Sequence, residues 1–191
     1  MAGYIGNYPT AVPLSSADIT DGTITIADLS ATGTPSASTF LRGDNTWGSA
    51  GASAGQVIQV VSAVDTTNRT VSSSSFTSTT VSASITPAST SNKILILVSG
   101  MMSINTSQTY AYLTVYRGGT DLASTTNGFT GAMYQGDQPV NVNSASVNVS
   151  FLDSPSTTSS TTYTIYTRTN ASSCNFGVNS KQTITLLEIK G

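Results

Sequence analysis

Short runs of alternating apolar and polar residues constrain the fold of this chain more than any other feature. In residues 145–152, the side chains of Val147, Val149 and Phe151 fall on one face and polar side chains fall on the other. This period of two is typical of a half-buried β-strand. No stretch shows apolar residues sustained at the helical spacing of i, i+3, i+4 and i+7. The pattern therefore predicts an all-β protein.

Turn residues separate the alternating runs. The run at 93–104 is apolar on both faces, which predicts a strand that lies deep in the packing of the sheets. Tyrosines on the runs at 109–117 and 161–169 are predicted to pack between sheets or between protomers. Strands are predicted at residues 56–64, 79–86, 93–104, 109–117, near 122, and at 145–152, 161–169, 173–178 and 182–190. Strands of this length and spacing predict an antiparallel β-sandwich of the jelly-roll type.

The boundary between two parts of the chain lies in the small-residue stretch GSAGASAG, residues 48–55. We assign residues 1–50 to an extended N-terminal segment, 51–55 to a flexible linker and 56–191 to the β-sandwich domain. Residues 1–50 carry too few large apolar side chains to build a core alone. Three copies wound about a common axis would pool their thin apolar edges, so we expect a homotrimer.

The low charge of the chain excludes two classes of partner. Only 8% of residues are charged, with 7 basic and 9 acidic residues. They form no basic stripe for nucleic acid and no polybasic patch for anionic lipid. The longest apolar run, residues 94–98, is too short to cross a bilayer. Neither a nucleic-acid partner nor membrane insertion is expected.

The chain lacks most of the residues on which common catalytic sites depend. The chain has no histidine, which removes the commonest general base. A glycosidase needs two carboxylates, and Glu188 is the only glutamate. Asp121, Asp137 and Asp153 lie beside Gly, Pro or Ser, which favours turns over catalysis. We expect no enzymatic activity and no catalytic residue.

Metal and cofactor sites are not expected either. With no histidine and one cysteine, the chain has no ligand set for zinc. Calcium held by carboxylates of three chains on a threefold axis stays an open alternative. Cys174 is predicted to be a buried filler. No intrachain disulfide can form, and no signal peptide follows Met1, so we expect the chain to fold inside a cell.

The tripeptide Arg42-Gly43-Asp44, within TFLRGDNTWG, has two interpretations: an integrin-binding loop or a structural turn. Nothing else in the chain suggests an animal matrix protein, which favours the turn. Arg42 and Asp44 are predicted to pair within or between protomers. The candidate residues of the trimer neck and anchor are Ile19, Ile24, Ile26, Leu29, Phe40, Leu41, Arg42, Asp44 and Trp47.

Several stretches resemble the fibre proteins of tailed bacteriophages. GTPSASTFLRGDNTWG resembles the junction found in many such fibres, and ADITDGTITIADLS resembles the short repeats before it. SNKILILVSG, YLTVYRGGTDL, SFLDSPSTTSSTTYTIYTR and ITLLEIKG are similar to C-terminal knob modules of marine phage fibres, whose architecture is related to trimeric jelly rolls of the tumour necrosis factor type. The usual junction has glycine where this chain has Asn45, and asparagine tolerates a left-handed backbone nearly as well.

The resemblance implies a homotrimeric virion protein made in the cytoplasm of the host bacterium. Residues 1–50 would dock on the tail, baseplate or capsid, and the knob would contact a glycan or protein of the host surface. A head fibre or capsid decoration protein is the alternative, and a polysaccharide depolymerase is a weaker one.

The polar connection at residues 127–144 is the predicted receptor-contact loop, since sugar rings stack on aromatic faces and bond to amide groups. Its candidate residues are Phe129, Tyr134, Gln135, Asp137 and Asn141.

Overall fold

The structure, a computed structural model, describes residues 20, 22, 25, 28, 30–49, 51–104, 109–130, 143–177 and 180–191. Within these residues the chain forms β-strands and no α-helix, and so contains no helix that could span a membrane. The chain divides after Gly51 into two compact units.

The described part of the N-terminal unit contains one antiparallel hairpin. Its strands are β1, Thr39–Leu41, and β2, Trp47–Ser49. Phe40 pairs with Gly48, and residues 42–46 form the connecting loop.

The described residues of the C-terminal unit form ten strands, and all of their pairings are antiparallel. They are β3 (Val57–Asp65), β4 (Arg69–Val71), β5 (Thr77–Ile85), β6 (Lys93–Ile104), β7 (Ala111–Arg117), β8 (Thr120–Asp121), β9 (Asn143–Asp153), β10 (Thr161–Thr169), β11 (Cys174–Phe176) and β12 (Gln182–Ile189). One sheet has the order β3-β12-β6-β11-β4, with β9 also paired to β6, and the other has the order β5-β10-β7-β8.

The two sheets bury one face each against the other. Alternate side chains point inward, such as Ile94, Ile96 and Val98 on β6 and Leu113 and Val115 on β7. These and the other inward residues form one apolar cluster. Full burial of an aliphatic side chain stabilises a fold by roughly 1.5–3 kcal/mol, so this cluster holds the sandwich together.

The structure confirms the predicted all-β antiparallel fold. Each predicted strand of the C-terminal part is present, and the ends shift by at most about two residues. The sequence analysis missed β1, β2 and β4, because a three-residue strand is too short to show alternation.

Strand β6 differs from its prediction, because the structure buries only one of its two apolar faces. Ile94 and Ile96 are fully buried, whereas Leu97 on the opposite face is 38% exposed. Ser99 on that face is exposed as well, and only at the far end of the strand is an outward residue, Ser103, fully buried. Strand β6 does carry apolar residues on both faces, but only those that point inward belong to the core of one chain.

Residues assigned to the flexible linker are bonded to the end of β12. The Gly55 N–H donates to the Lys190 carbonyl at 2.7 Å, and the Lys190 N–H donates to the Gln56 carbonyl at 2.9 Å. The Lys190 ammonium also donates to the Ala52 carbonyl. Residues 52–55 therefore belong to the C-terminal unit.

Candidate functional site

A row of aliphatic side chains crosses the outward side of the six-stranded sheet. Val60 on β3 pairs with Leu187 on β12, Leu187 pairs with Leu95 on β6, and Leu95 pairs with Leu152 on β9. Directly paired side chains in a sheet lie about 5 Å apart, so the four form one continuous strip. With Leu97, they make up what we call the aliphatic face.

The aliphatic face is open to solvent in the isolated chain. Val60 is 58% exposed and Leu152 is 47% exposed. The next row continues from Leu97 into polar residues, Ser150 on one side and Thr185 and Ser62 on the other, and the Ser62 and Thr185 hydroxyls hydrogen-bond at 2.9 Å. An exposed apolar patch with a polar rim typically marks an interaction surface. All five side chains of the face are aliphatic, so the face can bury apolar area against a partner.

The outward side of the four-stranded sheet has a different composition. Arg168 on β10 pairs with Tyr112 on β7, Tyr166 pairs with Thr114, and Thr164 pairs with Tyr116. Its outward residues on β5, β7 and β10 include no aliphatic side chain; they are Ser78, Thr80, Ser82, Ser84, Tyr112, Thr114, Tyr116, Thr162, Thr164, Tyr166 and Arg168. We call this surface the tyrosine face.

Aromatic rings on the tyrosine face stack in two groups. The Tyr116 and Tyr166 rings have centroids 4.0 Å apart and planes inclined by 26°. The Arg168 guanidinium carbon lies 4.2 Å from the centroid of the Tyr112 ring, which is a cation–π contact. Burial, and then the nearby Asp121, raise the pKa of Tyr116, so its hydroxyl keeps its proton at neutral pH.

Arg168 also fixes the start of the predicted receptor-contact loop. Its Nε donates to the Thr126 carbonyl at 2.9 Å, and its Nη2 donates to Asn127 Oδ1 at 3.1 Å. The turn is completed by Gly128 at φ +70°, where an added Cβ would lie 2.3 Å from the Leu113 carbonyl oxygen. Only glycine fits there. The loop therefore begins at the edge of the tyrosine face.

The other two arginines of the C-terminal unit form ion pairs. Arg69 pairs with Asp65 at 2.8 Å and holds the pKa of that carboxyl well below its usual range, chiefly through its hydrogen bond. Arg117 pairs with Asp153 at 2.8 Å. Arg168 has no carboxylate partner among the described residues.

Asp153 connects the two sheets through a buried network. Its carboxylate, on β9, accepts both Arg117 Nη1 from β7 and the Tyr163 hydroxyl from β10, the latter at 2.7 Å. Burial and this hydrogen bond raise the pKa of Tyr163. The sequence analysis placed Asp121 and Asp153 in turns, whereas both lie in strands. Both carboxylates accept hydrogen bonds within the fold, Asp121 from the Thr114 hydroxyl and Asp153 from the Arg117 guanidinium.

Strand tyrosines were predicted to pack between sheets or between protomers. Tyr163 packs between the sheets, whereas packing between protomers stays a prediction for three others. Tyr163 is fully buried in the core. Tyr112, Tyr116 and Tyr166 are half-buried on the outward side instead. The signal was present in the sequence, because Leu113 and Val115 take the inward positions of β7 and leave the outward ones to tyrosine.

Of the five receptor-contact candidates, only Phe129 lies within the described residues. It is half-buried and packs on Phe151, with ring centroids 4.7 Å apart and planes inclined by 47°. Its N–H donates to the Leu113 carbonyl at 2.9 Å, which ties it to β7. Tyr134, Gln135, Asp137 and Asn141 lie outside the described residues.

In the N-terminal unit, Arg42 and Asp44 form parts of a turn and bond to different partners. Arg42 Nη2 donates to the Ser49 carbonyl at 3.2 Å. Asp44 Oδ1 accepts from the Thr46 hydroxyl at 2.7 Å, and this bond lowers the pKa of Asp44. Within one protomer the two side chains therefore bond to other groups and not to each other: Arg42 reaches β2, and Asp44 bonds inside the loop. Pairing between protomers stays a prediction.

Asn45 shows why this turn does not need glycine. Its φ is +61°, in the left-handed region that asparagine tolerates. Its side-chain Nδ2 donates to the Ser30 carbonyl at 3.0 Å, a bond that glycine could not make. Asn45 thus fastens the preceding segment to the hairpin.

The remaining neck candidates divide into two groups. Phe40 and Leu41 are exposed at 47% and 39%, and Trp47 is half-buried. Ile19, Ile24, Ile26 and Leu29 lie outside the described residues.

Reactive groups are scarce in the part of the chain that the structure describes. It contains no group of three or more side chains from His, Cys, Asp and Glu that could hold a metal ion. Cys174 is buried as predicted, and burial raises the pKa of its thiol to about 11, which leaves it protonated and unreactive.

Comparison with known protein families found no family model that matches this chain, and comparison with curated proteins found no match.

Proposed function

We propose that the chain is a non-enzymatic structural protein of a tailed-phage virion, a homotrimeric tail fibre or spike. Residues 1–50 dock on the particle, and the C-terminal unit forms a knob that contacts the host surface. The resemblance of the junction and knob sequences to phage fibres supports this proposal, and the all-β fold agrees with it.

The aliphatic face is the observation that carries the proposal. In an isolated chain, Val60, Leu97 and Leu152 stay in contact with water. Removing such surface from water contributes roughly 25 cal/mol per Å². Symmetric association covers the same patch on every copy at once, and rotation about one axis closes the assembly. An uncharged aliphatic strip suits this contact because no charge has to be desolvated.

The strand order supports a jelly roll as the finer description of the knob. Seven long strands and the two-residue β8 divide between the sheets as β3-β12-β6-β9 and β5-β10-β7-β8. Eight strands in two antiparallel sheets are typical of a jelly roll. When the aliphatic face lies on the threefold axis, the tyrosine face of the same sandwich points away from that axis.

The hairpin of the N-terminal unit supports its role as an anchor. Phe40 and Leu41 present apolar surface on β1. The side chains of Arg42 and Asp44 make hydrogen bonds within the hairpin. Exposed apolar side chains on a rigid hairpin suit docking to a larger protein.

Localisation on purified virions tests the proposal. Antibodies against the full-length protein, carrying gold particles, are expected to label the tails of intact particles of the phage that encodes it. Labelling of the capsid would favour the head fibre or decoration protein instead. Absence of the protein from particles, checked by mass spectrometry of its peptides, would refute a virion role.

A further inference from the structure

The tyrosine face has two features of a ligand surface that the sandwich itself does not use. The hydroxyls of Tyr112, Tyr116 and Tyr166 make no hydrogen bond to another described residue. A phenolic hydroxyl can both donate and accept, and tyrosine usually finds a partner when it is buried by a ligand. No described residue therefore competes with a polar ligand for these three hydroxyls.

The second feature is the charge of Arg168. Its guanidinium is held in place by Tyr112 and by the Thr126 carbonyl, yet no described carboxylate neutralises it. Its Nη1 has no hydrogen-bond partner in the described ranges. An arginine that the fold already holds in one conformation is preorganised for an anionic group, because binding costs it little further side-chain entropy.

The Asp121 carboxylate borders this face and accepts a hydrogen bond from the Thr114 hydroxyl, midway between Tyr112 and Tyr116 on β7. Tyr116, which pairs with Asp121, lies four positions along β7 from the Tyr112 that pairs with Arg168. Four residues of a strand span about 14 Å, which suits a short oligosaccharide. The acid group of a ligand would lie at the Arg168 end, and neutral hydroxyls would lie beside Asp121, Tyr116 and Tyr166.

The composition of the face argues against two other ligands. A protein partner needs apolar area at the centre of its contact, and the outward positions of β5, β7 and β10 carry no aliphatic side chain. A nucleic acid presents a phosphate at every step, which a single arginine cannot neutralise. Hydroxyls, rings and one cation match a ligand made of hydroxyl groups, C–H faces and widely spaced acids.

We propose that the tyrosine face binds an anionic cell-surface polysaccharide that carries carboxylate sugars, with Arg168 bonding the carboxylate and Tyr112, Tyr116 and Tyr166 bonding the sugar rings. This inference rests on the proposed function only for the choice of a cell surface as the source of the glycan. Three tyrosine faces on one trimer would strengthen a weak single contact through multivalency.

Binding of matched glycans to the full-length protein tests the inference. The probes are oligogalacturonate, alginate, hyaluronan and a sialylated oligosaccharide, with methyl-esterified oligogalacturonate as the uncharged match and oligothymidylate as a polyanion without carboxylates. At least one carboxylated glycan is expected to bind, and an uncharged match roughly tenfold more weakly. Binding to none of the four, or equal binding of oligothymidylate, would overturn the inference.

Variants assign the contact to named residues. Tyr116→Ala and Tyr166→Ala are each expected to weaken binding roughly tenfold, and Ser159→Ala, in the exposed β9–β10 loop, is the control that leaves it unchanged. Arg168→Gln should erase the preference for the charged over the esterified glycan, whereas Arg168→Lys should retain it. A preference that survives Arg168→Gln would contradict the assigned role of Arg168.

The mass of the same samples separates the two proposals. A trimer that binds none of the four glycans overturns this inference and leaves the fibre proposal standing. A monomer that binds carboxylated glycans supports this inference and counts against the trimeric fibre.

Discussion

The two outward faces of the sandwich are built on the same backbone pattern but carry opposite chemistry. On the six-stranded sheet, the outward row Val60, Leu187, Leu95 and Leu152 is aliphatic. On the four-stranded sheet, the outward positions are filled by hydroxyl, phenol and guanidinium groups. The core uses only the inward half of each strand, so the outward half is free to specify contacts.

The comparison also explains how a protein with 8% charged residues manages its surface. Serine and threonine hydroxyls cover most outward positions, and pairs such as Ser84 and Thr162 hydrogen-bond across strands at 2.7 Å. The rest of this surface is neutral and polar. The aliphatic row and Arg168, which has no described carboxylate partner, differ from it and are not needed by the fold, which favours a role in binding.

The largest effect is expected from the residue that holds the two sheets together. Asp153→Ala leaves the Arg117 guanidinium and the Tyr163 hydroxyl without their common acceptor. We expect it to lower the free energy of unfolding by about 3 kcal/mol, measured by urea denaturation. Asp153→Asn, which keeps the shape and part of the hydrogen bonding, should lose less. An unchanged midpoint for Asp153→Ala would show that the faces do not depend on this network.

Alkaline pH is expected to weaken the fold through the buried Tyr163. The pKa of Tyr163 in the folded chain is raised above the ordinary value of 10.0. The unfolded chain therefore loses this proton first, so the stability that it provides is present below pH 10 and falls as pH rises above 10.

Tyr163→Phe tests this dependence. The variant should be less stable at neutral pH by about 2 kcal/mol, because the bond to Asp153 is lost. Its stability should also fall less steeply above pH 10 than that of the unaltered chain, in urea titrations at a series of pH values. Parallel slopes for the two proteins would contradict the buried position of the Tyr163 hydroxyl.

The smallest effect on stability is expected on the tyrosine face. Tyr116→Ala removes one ring of a stacked cross-strand pair that is only half-buried. We expect a loss of about 0.5–1 kcal/mol in the free energy of unfolding and no change in oligomeric mass. A loss comparable to that of Asp153→Ala would mean that the ring pair supports the fold rather than a ligand.

Much of the fold could be predicted from the sequence because alternation is a local signal. Strands β6 and β10 were placed at their observed ends, since each has a long alternating or apolar run. Long-range pairing left no such signal. Asp153 was taken for a turn residue because Ser and Pro follow it, and its partner Arg117, 36 positions away, left no local sign of the ion pair. The tyrosine face was missed for the same reason, because its site depends on β7 and β10 lying side by side.

The most direct test of the two-face account is the mass of two matched charge variants, measured by light scattering. Leu152→Asp places a carboxylate on the aliphatic face, and Ser84→Asp places one on the outward side of the other sheet. The account predicts a mass of three chains of 19.6 kDa for the unaltered protein and for Ser84→Asp, and a single chain for Leu152→Asp. A trimer that survives Leu152→Asp, or an unaltered protein that is already monomeric, would contradict it.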